Sequence, residues 1–148
     1  MYITSTITIK NYKKNNTQND YNADIFLIGV PEYGNLGDQL IAEAEFKFLN
    51  DIFEKKTICQ IKENEIRYDF KKVKKNIKDN GIIILQGGGN LGDLWPDQEI
   101  IRKKIITYFK NNPIVIMPQS VSIRNPESLN KIKQIYSKEN VWLTVREN

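Results

Sequence analysis

The sequence predicts an α/β fold of the Rossmann-like type, a doubly wound parallel sheet of about five strands. Short apolar runs alternate along the chain with segments whose apolar residues recur at helical spacing. Some of these runs, such as Gly81–Leu85, are continuously apolar, which is typical of strands that are covered by helices on both faces of the sheet. Strands that alternate with helices imply right-handed crossovers and therefore parallel strand pairs.

Each strand and helix has its own apolar signature along the chain. The predicted strands, in chain order, are Ile25–Val30, Thr57–Ile61, Gly81–Leu85, Pro113–Met117 and Val141–Val145. The predicted helices carry apolar stripes, which are Leu40, Ile41, Ala44, Phe48 and Ile52; Ile66, Phe70, Val73 and Ile77; Ile101, Ile105, Tyr108 and Phe109; and Leu129, Ile132, Ile135 and Tyr136. Residues 1–20 are predicted to be a polar, mobile lead-in, or an edge strand built on Ile3, Ile7 and Ile9.

Composition indicates one domain, which we place at residues 21–148. A chain of 148 residues with 40% hydrophobic content can bury one core. Its 22 basic residues are scattered among 18 acidic ones, which predicts no nucleic-acid partner. The lack of histidine and the single cysteine, Cys59, argue against a metal site and against an imidazole-based triad. No apolar stretch has the length of a membrane span, which predicts a cytoplasmic protein, at most attached to the inner face of the membrane.

One pentapeptide, Gly-Asn-Leu-Gly-Asp, occurs twice, as Gly34–Asp38 and as Gly89–Asp93, each time after an apolar run. Glycine allows a ligand to approach the backbone closely, and asparagine carries an amide that can bind it. At the carboxyl ends of parallel strands, such loops present N–H groups and a helix N-terminus to the ligand crevice. The alternative is two tight turns that an aspartate closes. The residues predicted to bind substrate are Gly34, Asn35, Asp38, Gly88, Gly89 and Asn90.

The order of the strands decides whether the two copies of the pentapeptide lie together. They follow the first and the third predicted strand, which are neighbours in the order 2-1-3-4-5. The order 3-2-1-4-5 would separate them. We predict the first order, which brings both copies to one rim.

The two aspartates of the repeat have different predicted roles. Asp38 directly precedes a helical pattern and is therefore expected to be its N-cap. After Asp93, a helix is expected to begin at Pro96, because proline favours the first helical position. Asp93 is then not needed as a cap, which makes it a candidate catalytic acid or base. The alternative for Asp93 is a side-chain bond that closes a turn.

Polar side chains also follow the last two predicted strands. Gln119 and Ser120 are placed to orient a sugar or a carboxylate, although turn chemistry after Pro118 is an alternative. Arg146 is a candidate anion anchor, because guanidinium binds carboxylate and phosphate in bidentate fashion. Its alternative is a surface ion pair, for example with Glu147.

The glycines Gly87, Gly89 and Gly92 match the spacing of a dinucleotide-binding loop. That loop requires an acidic residue at the end of the following strand. Here the strand ends in Met117–Ser120, which contains no acid, so a dinucleotide site is disfavoured.

Taken together, Gly34–Asp38, Gly87–Asp93, Met117–Ser120 and the pair Arg146 and Glu147 resemble the polysaccharide pyruvyl transferase family, over about Asp24 to Asn148. The resemblance implies the N-terminal domain of a GT-B-like fold. It also implies transfer of a pyruvyl group from phosphoenolpyruvate to two hydroxyls of a sugar, forming a ketal in a surface or exported polysaccharide. The implied partners are phosphoenolpyruvate, as a donor substrate and not a cofactor, and a sugar or polysaccharide acceptor.

The resemblance further implies a second half with a catalytic histidine, which this sequence does not contain. We therefore expect an incomplete enzyme that is inactive alone and is completed by a C-terminal half or a split-gene partner. A face left uncovered in this way is expected to favour a homo-oligomer. Two alternatives stay open: the acceptor-binding half of a GT-B-like glycosyltransferase, and a non-enzymatic module that binds a sugar or an anion.

Overall fold

The structure, a computed structural model, describes residues 22–32 and 34–146 of the chain. The predicted lead-in and edge strand, as well as Glu147, lie outside these residues. The strands are β1 Ile25–Val30, β2 Ile58–Lys62, β3 Ile82–Leu85, β4 Gly88–Gly92, β5 Ile114–Ser122 and β6 Val141–Val145. The helices are α1 Leu36–Ile52, α2 Glu63–Tyr68, α3 Phe70–Asn76, α4 Pro96–Tyr108 and α5 Pro126–Tyr136.

The strands form one parallel sheet, as the fold class predicts. β1 lies between β2 and β3, β3 pairs with the first half of β5, and β6 covers the opposite edge of β5. The five strands predicted from the sequence therefore stand in the order 2-1-3-4-5, and that prediction is confirmed. The ligand crevice of such a sheet is expected between β1 and β3, where the connections leave in opposite directions.

β4 is a strand that the sequence analysis missed. Its residues run beside the second half of β5, with Gly88 opposite Gln119 and Gly92 opposite Ser122. The prediction of a loop for Gly89–Asp93 was therefore wrong for its first four residues. The physical reason is the length of β5, whose 9 residues extend beyond the predicted end at Met117 and offer β4 a pairing edge.

Two apolar cores cover the two faces of the sheet. The larger core lies between the sheet and the helices α2 to α5, and the smaller one lies under α1. The predicted stripe of the second helix is buried, although a break at Asp69 divides that segment into α2 and α3. α4 begins at Pro96 as predicted, and the fourth predicted helix is α5.

The predicted inner face of α1 was wrong. Leu40, Phe48 and Ile52 are exposed, by 61%, 51% and 55%, whereas Ala42, Glu45 and Leu49 form the buried face. The apolar periodicity of the segment does not coincide with the face that meets the sheet, because a carboxylate, Glu45, occupies a buried position there. None of the helices in the described residues is long and apolar enough to cross a membrane.

Candidate functional site

A crevice opens at the carboxyl ends of β1 and β3, where the sheet order predicts a ligand site. Gly29 and Gln86 line it from the strand ends, and α2 and α4 contribute Glu63 and Gln98. Asp38 of the first pentapeptide and Asn90 of the second also line it. Both copies of the repeat therefore contribute to one crevice, the first from the N-terminus of a helix and the second from a strand.

The first pentapeptide forms the N-terminus of α1. Asn35 is the N-cap, and its Oδ1 accepts a hydrogen bond of 3.0 Å from the N–H of Gly37. Its Nδ2 donates to Asp38 Oδ2 at 2.8 Å. The prediction that Asp38 is the N-cap was therefore wrong. The helix begins two residues before Asp38, so that its carboxylate lies in the first turn, where the helix dipole favours negative charge.

Gln86 and Gln119 connect this helix end to the sheet. Gln86 Nε2 donates to the carbonyl of Asp38 at 3.0 Å, and Gln119 Nε2 donates to the carbonyl of Gln86 at 2.8 Å. Gln119 is completely buried, and its Oε1 has no hydrogen-bond partner among the described residues. The predicted role of Gln119 in substrate binding stays a prediction, but the side chain has a clear positioning role under the crevice.

The second pentapeptide is held by a buried polar network. Arg102 is 5% exposed and donates through Nη1 to Asn90 Oδ1 at 2.7 Å and through Nη2 to the carbonyl of Asn90. Glu99 Oε1 accepts from Arg102 Nη2 at 2.9 Å and from the N–H of Gly92 at 3.1 Å. Tyr136 connects Glu99 with Arg102, because its hydroxyl donates to Glu99 and accepts from Arg102. Burial raises the pKa of Tyr136, so the phenol stays protonated.

Asp93 points away from the crevice. Its Oδ2 accepts the N–H groups of Arg124 and Asn125, both at 2.8 Å, and so fixes the segment after β5. The hydrogen bond from Asn125 is the main cause of a lowered pKa for this carboxyl. α4 has Trp95 at its N-cap, so Asp93 is not a helix cap, as expected. It borders a second groove, between α4 and α5, together with Lys103.

The remaining predicted residues lie around these contacts. A methyl group added at Gly34, Gly88 or Gly89 would meet no atom within 4 Å, so the space beside these glycines is open. Ser120 is half-buried in the middle of β5 and not at a strand end. Arg146 follows β6, is exposed, and donates its N–H to the carbonyl of Gln119 at 2.9 Å.

Sequence reasoning missed Glu45, Gln86 and Arg102. Glu45 on α1 is 7% exposed, and its Oε1 accepts from the N–H of Gly87 at 2.9 Å. Burial raises the pKa of this carboxyl to about 7, against the opposing effects of the Gly87 N–H and the charge of Arg146. A charged residue between helical apolar positions is normally solvated, so the sequence held no signal for Glu45. For Arg102, the sequence indicated only that it belongs to a helix with a buried face.

Comparisons with known proteins agree with the motifs. The family model described as polysaccharide pyruvyl transferase matches residues 35–148. General stress protein 30 of Bacillus subtilis is 37% identical over 110 residues, which are 74% of this chain and 32% of that protein. Pyruvyl transferase 1 of Schizosaccharomyces pombe is 30% identical over 128 residues, 83% of this chain and 31% of that protein. The chain spans about a third of the length of these curated relatives.

Proposed function

The chain belongs to the polysaccharide pyruvyl transferase family, and from this premise we propose that its crevice binds the sugar that accepts a pyruvyl group from phosphoenolpyruvate. The observation that carries the proposal is the meeting of both pentapeptides at this crevice, through Asp38 and Asn90. It lies at the switch point of the sheet, where open α/β folds bind their ligands.

The chemistry of the lining suits hydroxyl groups better than anions. Asp38 and Glu63 offer carboxylate oxygens as acceptors. The amides of Gln86 and Gln98 already donate one hydrogen bond each, to the Asp38 carbonyl and to Glu63 Oε1, and each amide also carries a second N–H and a carbonyl oxygen that can bind a sugar. Arg102 is the cation in this lining, and its guanidinium already donates to Asn90, Glu99 and Tyr136. A neutral diol therefore fits here, whereas a phosphate would meet two carboxylates.

The donor needs cations elsewhere, since phosphoenolpyruvate carries a carboxylate and a phosphate. In the reaction, two hydroxyl oxygens of the sugar bond to the central carbon of the donor. One hydroxyl proton is transferred to the methylene carbon, which becomes a methyl group, and the other leaves with the phosphate. We assign Arg146 as an anion anchor, because it is an exposed guanidinium at the carboxyl edge of the sheet.

For Asp93, the geometry supports the role of a base more than that of an acid. Two backbone N–H groups stabilise its carboxylate, and the lowered pKa keeps it ionised at neutral pH. A carboxylate in this state can accept a proton from a hydroxyl but has none to give. Its place in the groove between α4 and α5 requires that the acceptor extend from the crevice towards that groove.

The chain alone is not expected to complete the transfer. The crevice supplies acceptors for hydroxyls, but its own cation is engaged, so the donor requires further groups beyond those described. We propose that the polypeptide by itself binds the acceptor without turnover, and that the complete enzyme works in the cytoplasm, where phosphoenolpyruvate is formed. Phosphoenolpyruvate-dependent pyruvylation of a sugar by this polypeptide alone would contradict the first part of that statement.

Binding by the isotope-labelled chain tests the proposal. Hexopyranosides should shift the NMR signals of Gly29, Gly87 and Asn90, and the affinity should fall roughly tenfold in Asp38→Ala, the loss of one or two hydrogen bonds to a carboxylate. Asp51→Ala, at the exposed far end of the same helix, is the control and should bind normally. Shifts from sugar nucleotides but not from simple sugars would favour a glycosyltransferase. Equal affinities of both variants would remove the crevice as the acceptor site.

A further inference from the structure

Glu45 has no role in the function proposed above, although its carboxyl is buried in the described part of the chain. It reaches from α1 to the carboxyl edge of the sheet, where Oε1 accepts the N–H of Gly87 and Oε2 is buried without a hydrogen-bond partner among those residues. A buried carboxylate with one unpartnered oxygen is costly. Such a group is expected to be neutral or to have a charge nearby.

The contact with Gly87 is close enough to depend on the glycine. A Cβ at Gly87 would lie 2.6 Å from Glu45 Oε1 and 2.7 Å from the carbonyl of Pro118. The carboxyl therefore lies against the peptide that joins β3 to β4. This peptide also borders the crevice, because Gln86 and Gly87 both line it.

Arg146 lies on the same face of the sheet as Glu45. Val141 and Leu143 belong to the larger core, on the face opposite α1. Because side chains alternate along a strand, Trp142 and Thr144 of β6 point to the α1 face. Arg146 directly follows β6 and continues this alternation, which agrees with the effect of its charge on Glu45. The N–H of Arg146 continues the ladder to Gln119, which pairs in turn with Gly88, one residue beyond the Gly87 contact.

Among the described residues, no other charge competes with Arg146 at the Glu45 carboxyl. On α1 itself, Glu43 and Lys47 are exposed, on other faces of the helix. From the sheet, the groups that face the carboxyl are the N–H of Gly87 and the carbonyl of Pro118. The positive charge of Arg146 is the one that acts on the Glu45 carboxyl.

We propose that Glu45 and Arg146 form a proton-linked anion site, in which Glu45 becomes more protonated when an anion binds Arg146 and less protonated when the anion leaves. Without an anion, the guanidinium stabilises the ionised carboxyl. With an anion, that stabilisation is weakened, and the neutral form of the buried carboxyl becomes more populated. Glu45 is thus a positioning residue that keeps Arg146 available to carboxylate or phosphate. Identification of the anion as the donor substrate rests on the proposed function, whereas the linkage does not.

The raised pKa of Glu45, about 7, places this exchange near neutral pH. Linkage is reciprocal, so an anion that raises the pKa of Glu45 must bind more tightly as the pH falls through that range. The expected gain is at most about threefold for an anion that moves the midpoint by about half a pH unit, since a tenfold change corresponds to one unit.

Carboxyl carbon NMR of the chain tests the linkage. Glu45 should titrate near pH 7, and both sulfate, whose charge is constant in this range, and phosphoenolpyruvate should raise its midpoint. Arg146→Gln should also raise the midpoint, because it removes a positive charge. In that variant neither anion should have a further effect. In Glu45→Gln, the affinity for sulfate should be independent of pH between 6 and 8, and Glu43→Gln is the matched control.

Two results would overturn the linkage: a Glu45 midpoint near 4, or a midpoint that neither Arg146→Gln nor any anion changes. Failure of the proposed function has a different signature. If sulfate shifts the midpoint and phosphoenolpyruvate does not, the proton-linked site exists but does not bind the donor.

Discussion

The two copies of the pentapeptide have the same sequence and different structures. Gly34–Asp38 forms the cap and first turn of α1, whereas Gly89–Asp93 forms most of β4 and the residue after it. The leucines show the contrast, since Leu36 is 67% exposed and Leu91 is 2% exposed. Five identical residues therefore do not determine one local structure. Their structure depends on the elements that pack beside them.

The contacts of the two copies differ in range. In the first copy, Asn35 bonds to residues two and three positions away, and the Asp38 carbonyl accepts from Gln86. In the second copy, Asn90 and Gly92 are bound by α4, and Asp93 is bound by the segment after β5. We therefore expect the first copy to adapt more readily to a ligand than the second, which is a frame that positions the crevice. Four pairs of matched substitutions test this difference.

The glycines should show the largest difference. Gly92 has φ +124°, and a Cβ there would lie 1.9 Å from the carbonyl oxygen of Ser122, so Gly92→Ala requires β4 to separate from β5. We expect a loss of at least about 3 kcal/mol in the free energy of unfolding. Gly37→Ala lies in a helix, where alanine is favoured, and should change stability by no more than about 1 kcal/mol. Urea unfolding measures both, and equal losses would contradict the comparison.

The two leucines should show the second-largest difference in stability. Leu91→Ala leaves a cavity in the larger core and should cost about 2–5 kcal/mol. Leu36→Ala removes an exposed side chain and should change stability by less than about 0.5 kcal/mol. Thermal denaturation of the two variants is sufficient to compare them. A large loss for Leu36→Ala would mean that the first copy is covered in solution.

The two asparagines should differ less in their effect on stability. Asn90→Ala leaves Nη1 of the buried Arg102 guanidinium without the Asn90 side-chain acceptor and should cost about 1–3 kcal/mol. Asn35→Ala removes an N-cap and should cost about 1 kcal/mol. Hydrogen exchange separates the two effects: Asn35→Ala should increase exchange in the first turn of α1, and Asn90→Ala in β4 and α4. Exchange that rises at both places in both variants would show that the copies are coupled.

The aspartates should show the smallest effect, a difference in stability that is present near neutral pH and disappears in acid. The pKa of Asp93 is lowered in the folded chain, so its ionised form contributes stability that is present above the ordinary pKa of 3.8 and is lost as the pH falls through the lowered value. Asp93→Asn should therefore be less stable than the parent at pH 6 and should show a smaller loss on acidification. Asp38→Asn is the matched substitution in the first copy. The measurement is the unfolding midpoint between pH 6 and 2, and an unchanged slope for Asp93→Asn would remove the assigned contact.

The sequence correctly predicted those features of the fold that depend on local patterns of residues. Continuous apolar runs located the strands of the central sheet, and Pro96 marked the start of α4. The sequence did not predict β4, because Gly88–Gly92 has the composition of a turn and becomes a strand only beside the long β5. It also did not reveal Glu45 or Arg102, because a buried charge is stabilised by partners that are distant in sequence. The functional site therefore depends mainly on tertiary contacts.

The central claim is that the adaptable first copy and the rigid second copy form one sugar-binding crevice. Intermolecular NOEs between a bound hexopyranoside and the labelled chain test it most directly. The account predicts NOEs from one sugar to protons of both Asp38 and Asn90, with others to Gly29 or Gly87. NOEs that are confined to the groove between α4 and α5, or to one of the two copies, would contradict it.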